Sequence, residues 1–175
     1  MPQTILALAA ILSFAYLAMG RQQHDQSVDR HTQGVEAELA AVDVARARMT
    51  AMERLAFDEA DTGRRGVRTQ PSDLALGADD DETGPGTYDD VDDWNAEPPS
   101  IEAVPVGLDS LRFRVEVAVR YVRDLEPTRA SAKATLTKEI VVSAVEIPAG
   151  DIGRVPAEAT LTRVVTPASV ASYLQ

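Results

Sequence analysis

The chain begins with an apolar stretch that changes abruptly into a polar one. Residues 1–20 contain no Asp, Glu, Lys, Arg or His, and from Ile5 to Met19 only Ser13 interrupts the apolar run before Arg21 ends it. As a helix rising about 1.5 Å per residue, twenty residues reach about 30 Å, which matches the hydrocarbon core of a bilayer. The pattern predicts an apolar transmembrane or filament-core helix over residues 1–23.

Three interpretations of this apolar segment stay open. A cleaved secretory signal is favoured by the small residues Ala18 and Gly20, but Met1–Thr4 lacks the positive charge that such signals carry. An ordinary membrane anchor is the second interpretation. The third is a helix that begins in the membrane and then packs in a bundle of identical helices, where alanines would let neighbours approach closely.

Residues 24–63 predict an amphipathic continuation of the same helix. Apolar side chains recur every seven residues, with others three or four positions away, at Val28, Val35, Val42, Met49 and Ala56 and at Leu39, Ala45, Met52 and Leu55. This spacing gives one apolar stripe on a helix. No proline occurs between Gln3 and Gln70, and Gly63 is a plausible stop.

Residues 64–109 predict an acidic loop rich in Gly and Pro. Between Ala78 and Ser100 periodicity disappears and Asp dominates, so we expect no packed element there, with Trp94 as an anchor in the core. Four carboxylates in this loop could offer hard oxygen ligands to calcium: Asp89, Asp90, Asp92 and Asp93. Their spacing does not match an EF-hand loop, and a solvated acidic loop is the alternative.

Residues 110–175 predict an antiparallel β-sheet. In residues 110–123 apolar and polar side chains alternate strictly, which is typical of a strand with one buried and one wet face. Residues 130–147 repeat the pattern, a turn begins at Glu126, and Thr160–Thr166 forms a shorter strand. Folding the apolar helix stripe onto this sheet gives an α+β class: a long N-terminal helix packed on a small antiparallel sheet.

Composition narrows the function classes. The chain of 175 residues has 17 Lys and Arg against 28 Asp and Glu, a net charge of −11, which argues against nucleic acid as a partner. It has no Cys, so disulfides and thiolate chemistry are excluded. No phosphate-binding loop, zinc-protease motif or nucleophile elbow occurs, so we expect no enzyme and no cofactor apart from the calcium hypothesis.

The predicted arrangement resembles that of type IV pilins and pseudopilins over the whole chain. The family joins an apolar half-helix to an amphipathic half laid on an antiparallel sheet, with a variable loop between them. The stretch Tyr88–Asn95, YDDVDDWN, looks like the Asp-rich segment that follows the long helix in some minor-pilin-like proteins. With Met1 as the first mature residue, Ile5 stands where the family usually has an acid that sets subunit register, which suits a filament-tip subunit or a divergent system.

The resemblance implies a structural subunit of a bacterial type IV pilus-like or pseudopilus filament. It would reside in the inner membrane and then in a cell-surface filament, with copies of itself or related pilin subunits as partners. The apolar side chains expected in the filament core are Ile5, Leu6, Leu8, Ile11, Leu12, Phe14 and Leu17. The alternative is a single-span envelope protein whose outer domain binds a partner in a secretion or surface complex. A secreted enzyme or carbohydrate-binding domain with a cleaved signal is a third interpretation.

Overall fold

A long N-terminal helix lies on one antiparallel sheet, which confirms the predicted α+β class. The computed structural model describes residues 2–58, 61–62, 67, 69–71, 76–79, 82–95, 97–106, 109–150 and 152–171, with side chains for all of these except residues 2–10, 109 and 170–171. Helix α1 spans Pro2–Met52, and a short helix α2 spans Pro167–Ala171. A long helix packed on an antiparallel sheet resembles a pilin-like architecture.

Within the described residues the sheet contains five strands, all paired antiparallel. They are β1 (Ser100–Val106), β2 (Asp109–Arg123), β3 (Glu126–Ala130), β4 (Lys138–Glu146) and β5 (Glu158–Val165). The order is β1-β2-β4-β5, and β3 pairs with the end of β2. Strand β2 has the alternation that the sequence predicts, because Phe113 and Val115 are buried while Arg112 and Arg114 face solvent.

The face of α1 that meets the sheet is made largely of small side chains. Ala37, Ala41 and Ala45 are fully buried, and Val44 and Met49 complete the contact. Opposite them lie the inward side chains of β2 and β4, including Phe113, Val115, Val119, Ile140, Val142 and Ala144. Alanine allows the helix backbone to approach the sheet closely, so the helix packs through this face.

The predicted apolar stripe of α1 is therefore only partly buried. Met49 and Met52 are buried as expected, but Val28, Val35 and Leu39 are exposed. At 100° per residue these three exposed residues fall within about 40° of one another, on the side of α1 turned away from the alanines. The helix has two apolar faces, and the sheet covers one of them.

Helix α1 ends at Met52, although the sequence predicted a helix to residue 63. Beyond Met52 the backbone pairs with a distant segment: Ala56 N donates to Asp89 O at 2.9 Å, and Val91 N donates to Ala56 O at 3.0 Å. This isolated parallel bridge satisfies the backbone groups of Ala56 outside any helix. Glu59, Ala60 and Gly63 lie outside the described residues.

The expected acidic loop over residues 64–109 contains regular structure. Strand β1 pairs with β2 over its whole length, from Ser100 opposite Val115 to Val106 opposite Asp109. Pro105 did not prevent this, because β1 is an edge strand that needs donors on one side only. A 3₁₀ turn at Asp92–Trp94 packs under the sheet, with all three residues buried.

The sequence also predicted a transmembrane helix over residues 1–23. Among the residues that the structure describes, no helix combines the length and the apolar character that crossing a membrane requires.

Candidate functional site

The first half of α1 carries its apolar side chains away from the sheet. Ile11, Leu12, Phe14 and Leu17 are between 63% and 76% exposed, whereas the first buried side chain described on α1 is Ala37. The other predicted core-helix residues, Ile5, Leu6 and Leu8, have side chains outside the described part of the chain.

Exposed apolar side chains recur along one side of α1 into its second half, with Arg21 and His24 between them on the same side. Leu17, Val28, Val35 and Leu39 are all exposed, and at 100° per residue they fall within about 40° of one another. We call these four residues the outer stripe. It runs along α1 beside the part that packs on the sheet, so a neighbouring molecule on this face would also approach the folded domain.

The second feature is the segment Asp89–Asp93, which we call the acidic turn. Asp90 Oδ1 accepts the backbone N–H groups of Asp92 at 2.7 Å and Asp93 at 3.2 Å. Asp93 Oδ2 in return accepts those of Asp89 at 3.0 Å and Asp90 at 2.9 Å. These reciprocal bonds resemble a capping box and satisfy four backbone donors within five residues.

The acidic turn is buried, contrary to the expectation of a solvated loop. Asp90, Asp92 and Asp93 are each no more than 3% exposed, and only Asp89 lies at the surface. Burial of a carboxylate requires hydrogen bonds or a cation nearby. Asp90 and Asp93 use backbone N–H groups for this, and Asp92 uses a lysine from β4.

That lysine is Lys138, whose side chain is completely buried. Its Nζ donates to Asp92 Oδ1 and, at 2.6 Å, to Phe57 O, and it lies 3.6 Å from Asp58 Oδ2. The Phe57 ring centroid is 4.5 Å from Nζ, and the Tyr121 centroid is 5.3 Å away. The Tyr121 hydroxyl donates to Asp58 Oδ2 at 3.4 Å. We call Lys138, Asp58, Asp90, Asp92 and Tyr121 the Lys138 cluster.

Burial governs the protonation of this cluster. Burial raises the pKa of Asp90 well above its ordinary value of 3.8, and the neighbouring carboxylate of Asp92 adds to the rise. Burial also raises the pKa of Asp92, but the positive charge of Lys138 opposes that rise. The pKa of the Tyr121 hydroxyl is raised by burial and then by the charge of Asp58. Burial therefore favours the protonated form of Asp90, whereas at Asp92 the charge of Lys138 acts against the effect of burial.

The four predicted calcium ligands do not converge on one point. Asp89 and Asp93 lie together with Glu82, and one carboxylate oxygen from each of these three is within 4.8 Å of the other two. Asp92 instead contacts Lys138, and Asp90 binds the backbone of the turn. Calcium binding stays a prediction, now confined to Glu82, Asp89 and Asp93.

Trp94 anchors the acidic turn in the core, as the sequence predicted. The Arg48 guanidinium lies over its ring at 4.8 Å, and the Tyr88 ring meets it edge-on with centroids 5.2 Å apart. Arg48 also donates to Glu102 and, at 3.1 Å, to Ser100 Oγ, which ties α1 to β1. The Tyr88 hydroxyl donates to Glu97, and burial together with this bond raises the pKa of Tyr88 to about 12.

A second, partly buried ion pair fixes the loop before β5. Arg154 donates both terminal nitrogens to the carboxylate of Glu146, each at 2.7 Å, and Ala157 N donates to Glu146 Oε2 at 2.8 Å. Burial alone would raise the pKa of Glu146, but the bonds from Arg154 and Ala157 outweigh it and lower the pKa.

Sequence reasoning missed Lys138, although the sequence carries a signal for it. Along β4 the inward positions are Ile140, Val142 and Ala144, and Lys138 has the same parity. A lysine on the buried face of a strand requires a buried acidic partner. The acidic turn supplies that partner, Asp92, but Asp92 is 46 residues away from Lys138 in the sequence.

Comparison with known proteins gives no relative from which a role could be inferred for the site. No protein-family model matches the chain, and neither does any curated protein or any solved structure.

Proposed function

We propose that this protein is a structural subunit of a bacterial type IV pilus-like or pseudopilus filament. The subunit assembles through the apolar half of α1, with copies of itself or related pilin subunits as neighbours. It resides in the inner membrane before assembly and at the cell surface afterwards. The observation that carries this proposal is that apolar side chains lie exposed around α1 from Ile11 to Met19.

Burial of this surface supplies the driving force for assembly. Each large apolar side chain moved from water into a packed interface contributes about 1.5–3 kcal/mol. Four such side chains lie exposed within about two helical turns: Ile11, Leu12, Phe14 and Leu17. On soluble proteins, contiguous exposed apolar patches mark sites of interaction with other proteins or with membranes.

The outer stripe favours the interpretation of α1 as part of a bundle of parallel helices and not as a single membrane anchor. An anchor needs apolar residues only where it meets lipid, but Val28, Val35 and Leu39 lie beyond the polar residues that begin at Arg21. In a helical filament, neighbouring subunits would cover these positions as well as the first half of α1. The folded sheet domains would then form the outer layer.

The matched pair Leu17→Arg and Gln22→Arg tests the proposal. Both add one positive charge to an exposed position of α1, but Leu17 is in the outer stripe and Gln22 is polar and off it. We expect Leu17→Arg to leave the sheet domain folded, with unchanged near-ultraviolet circular dichroism, and to abolish fibres in electron micrographs of the sheared surface fraction. Gln22→Arg is expected to retain fibres.

Fibres of normal abundance from Leu17→Arg would contradict assembly through this helix. Wild-type protein that stays in the membrane fraction without forming fibres would favour the single-span envelope protein instead.

A further inference from the structure

A lysine amine and a carboxyl carbon face each other in the core, shielded from water. Lys138 is 0% exposed and Asp92 is 3% exposed. Nζ of Lys138 is hydrogen-bonded to Oδ1 of Asp92, and the rings of Phe57 and Tyr121 cover the amine at 4.5 and 5.3 Å. An amine held beside a carboxyl group in this way has a very high effective concentration for reaction with it.

A further carboxyl group lies beside the amine. Asp58 Oδ2 lies 3.6 Å from Nζ, where it can take a proton from the ammonium group. Oδ1 of Asp92, the oxygen that must leave, already accepts a hydrogen bond from Nζ, so the amine can protonate it directly. The carbonyl of Phe57, 2.6 Å from Nζ, orients the amine.

We propose that Lys138 and Asp92 become joined by an intramolecular amide bond between Nζ and Cγ. The bond would tie strand β4 to the acidic turn, across 46 residues of sequence. It would place a covalent link where the helix end, the turn and the sheet meet, in a chain that has no Cys and so no disulfide.

The step balances without any other reactant. The lone pair of Nζ forms a bond to Cγ of Asp92, and the bond from Cγ to one carboxylate oxygen breaks. The nitrogen begins with three protons and keeps one. The other two leave with the departing oxygen as one water molecule, and Asp58 ends as it began. No oxidant, reductant or nucleotide is needed, and expulsion of water from the closed core favours the amide.

Mass spectrometry of the full chain, purified in detergent and denatured, tests the bond. We expect an intact mass lower than the sequence mass by one water. Trypsin should fail to cut after Lys138 and should yield a branched peptide that joins residues 69–112 to residues 134–154. An unmodified intact mass with complete cleavage after Lys138 would overturn the proposal, as would a branch from Lys138 to residues 55–64, which contain Asp58.

Two alanine variants show whether Asp92 is the reacting carboxyl group. Asp92→Ala removes it, so the variant should have its full sequence mass and be cut after Lys138. Asp43→Ala makes the same change at an exposed position of α1, away from the acidic turn, and should still lose one water. Loss of water from Asp92→Ala would contradict the assignment. The wild-type mass decides the proposal even where Asp92→Ala fails to fold.

Discussion

Replacing Lys138 by Met leaves the Asp92 carboxyl group without the Lys138 nitrogen that compensates it in the core, either as an ammonium ion or in the proposed amide. Met has nearly the same length and no charge, so the change leaves little cavity, and in a chain without the amide it isolates the electrostatic effect. Removing one partner of a buried ion pair leaves the other uncompensated, at a cost of about 3–5 kcal/mol. Because small domains are stable by about 5–15 kcal/mol, this loss should be large.

The cost of protonating Asp92 gives a second estimate of the stability lost in Lys138→Met. Without Lys138, Asp92 can escape its unpaired charge by taking up a proton. At neutral pH this costs about 4 kcal/mol, since its ordinary pKa of 3.8 lies about three units lower and each unit is worth about 1.4 kcal/mol. The raised pKa in the folded variant makes its stability fall as pH rises. The difference from wild type should therefore shrink toward pH 4.

Urea unfolding in detergent, followed through Trp94 fluorescence, measures both effects. Trp94 is the only tryptophan and sits in the 3₁₀ turn next to the Lys138 cluster. The matched control is Lys133→Met, because Lys133 is exposed in the segment before β4. A Lys138→Met loss within about 0.5 kcal/mol of the control, or one that stays the same at neutral and acid pH, would refute the electrostatic reasoning.

Two further predictions concern packing and acid stability. Ala41→Leu should lower the free energy of unfolding by about 1–3 kcal/mol, because Ala41 is fully buried against the sheet. Ala47 is exposed, so the control Ala47→Leu should change the free energy of unfolding little. Equal effects of the two variants in urea unfolding would contradict the close helix–sheet contact. The pKa of Glu146 is lowered from its ordinary value of 4.5 in the folded protein. The pairing of Glu146 with Arg154 therefore stabilises the fold fully above pH 4.5, and this stabilisation is lost as the pH falls through the lowered pKa. Arg154→Met should therefore lose less stability than wild type on acidification, and parallel pH profiles would exclude this role.

The elements with a strong local period were predictable from sequence. The alternation in β2 placed Phe113 and Val115 inside and Arg114 outside, because a strand with one wet face must alternate. The apolar and amphipathic pattern likewise placed α1. These elements are specified by their own residues and need no knowledge of the rest of the chain.

The features that sequence reasoning missed depend on distant partners. The end of α1 at Met52 reflects the pairing of Ala56 with the acidic turn, which no local helix signal contains. The burial of Asp92 depends on Lys138, and an Asp-rich segment read alone looks solvated. The buried face of α1 was misplaced because alanine gives a weak hydrophobic signal, so Val35 and Leu39 dominated the pattern.

The proposed function requires that native protein forms fibres through α1. Immunogold electron microscopy of the sheared surface fraction, with antibody against the folded sheet domain, tests it most directly. We expect labelled fibres, and mass spectrometry of the chain recovered from them should find the apolar residues 1–20 still attached. Unlabelled fibres, or protein that begins at Arg21, would contradict the account.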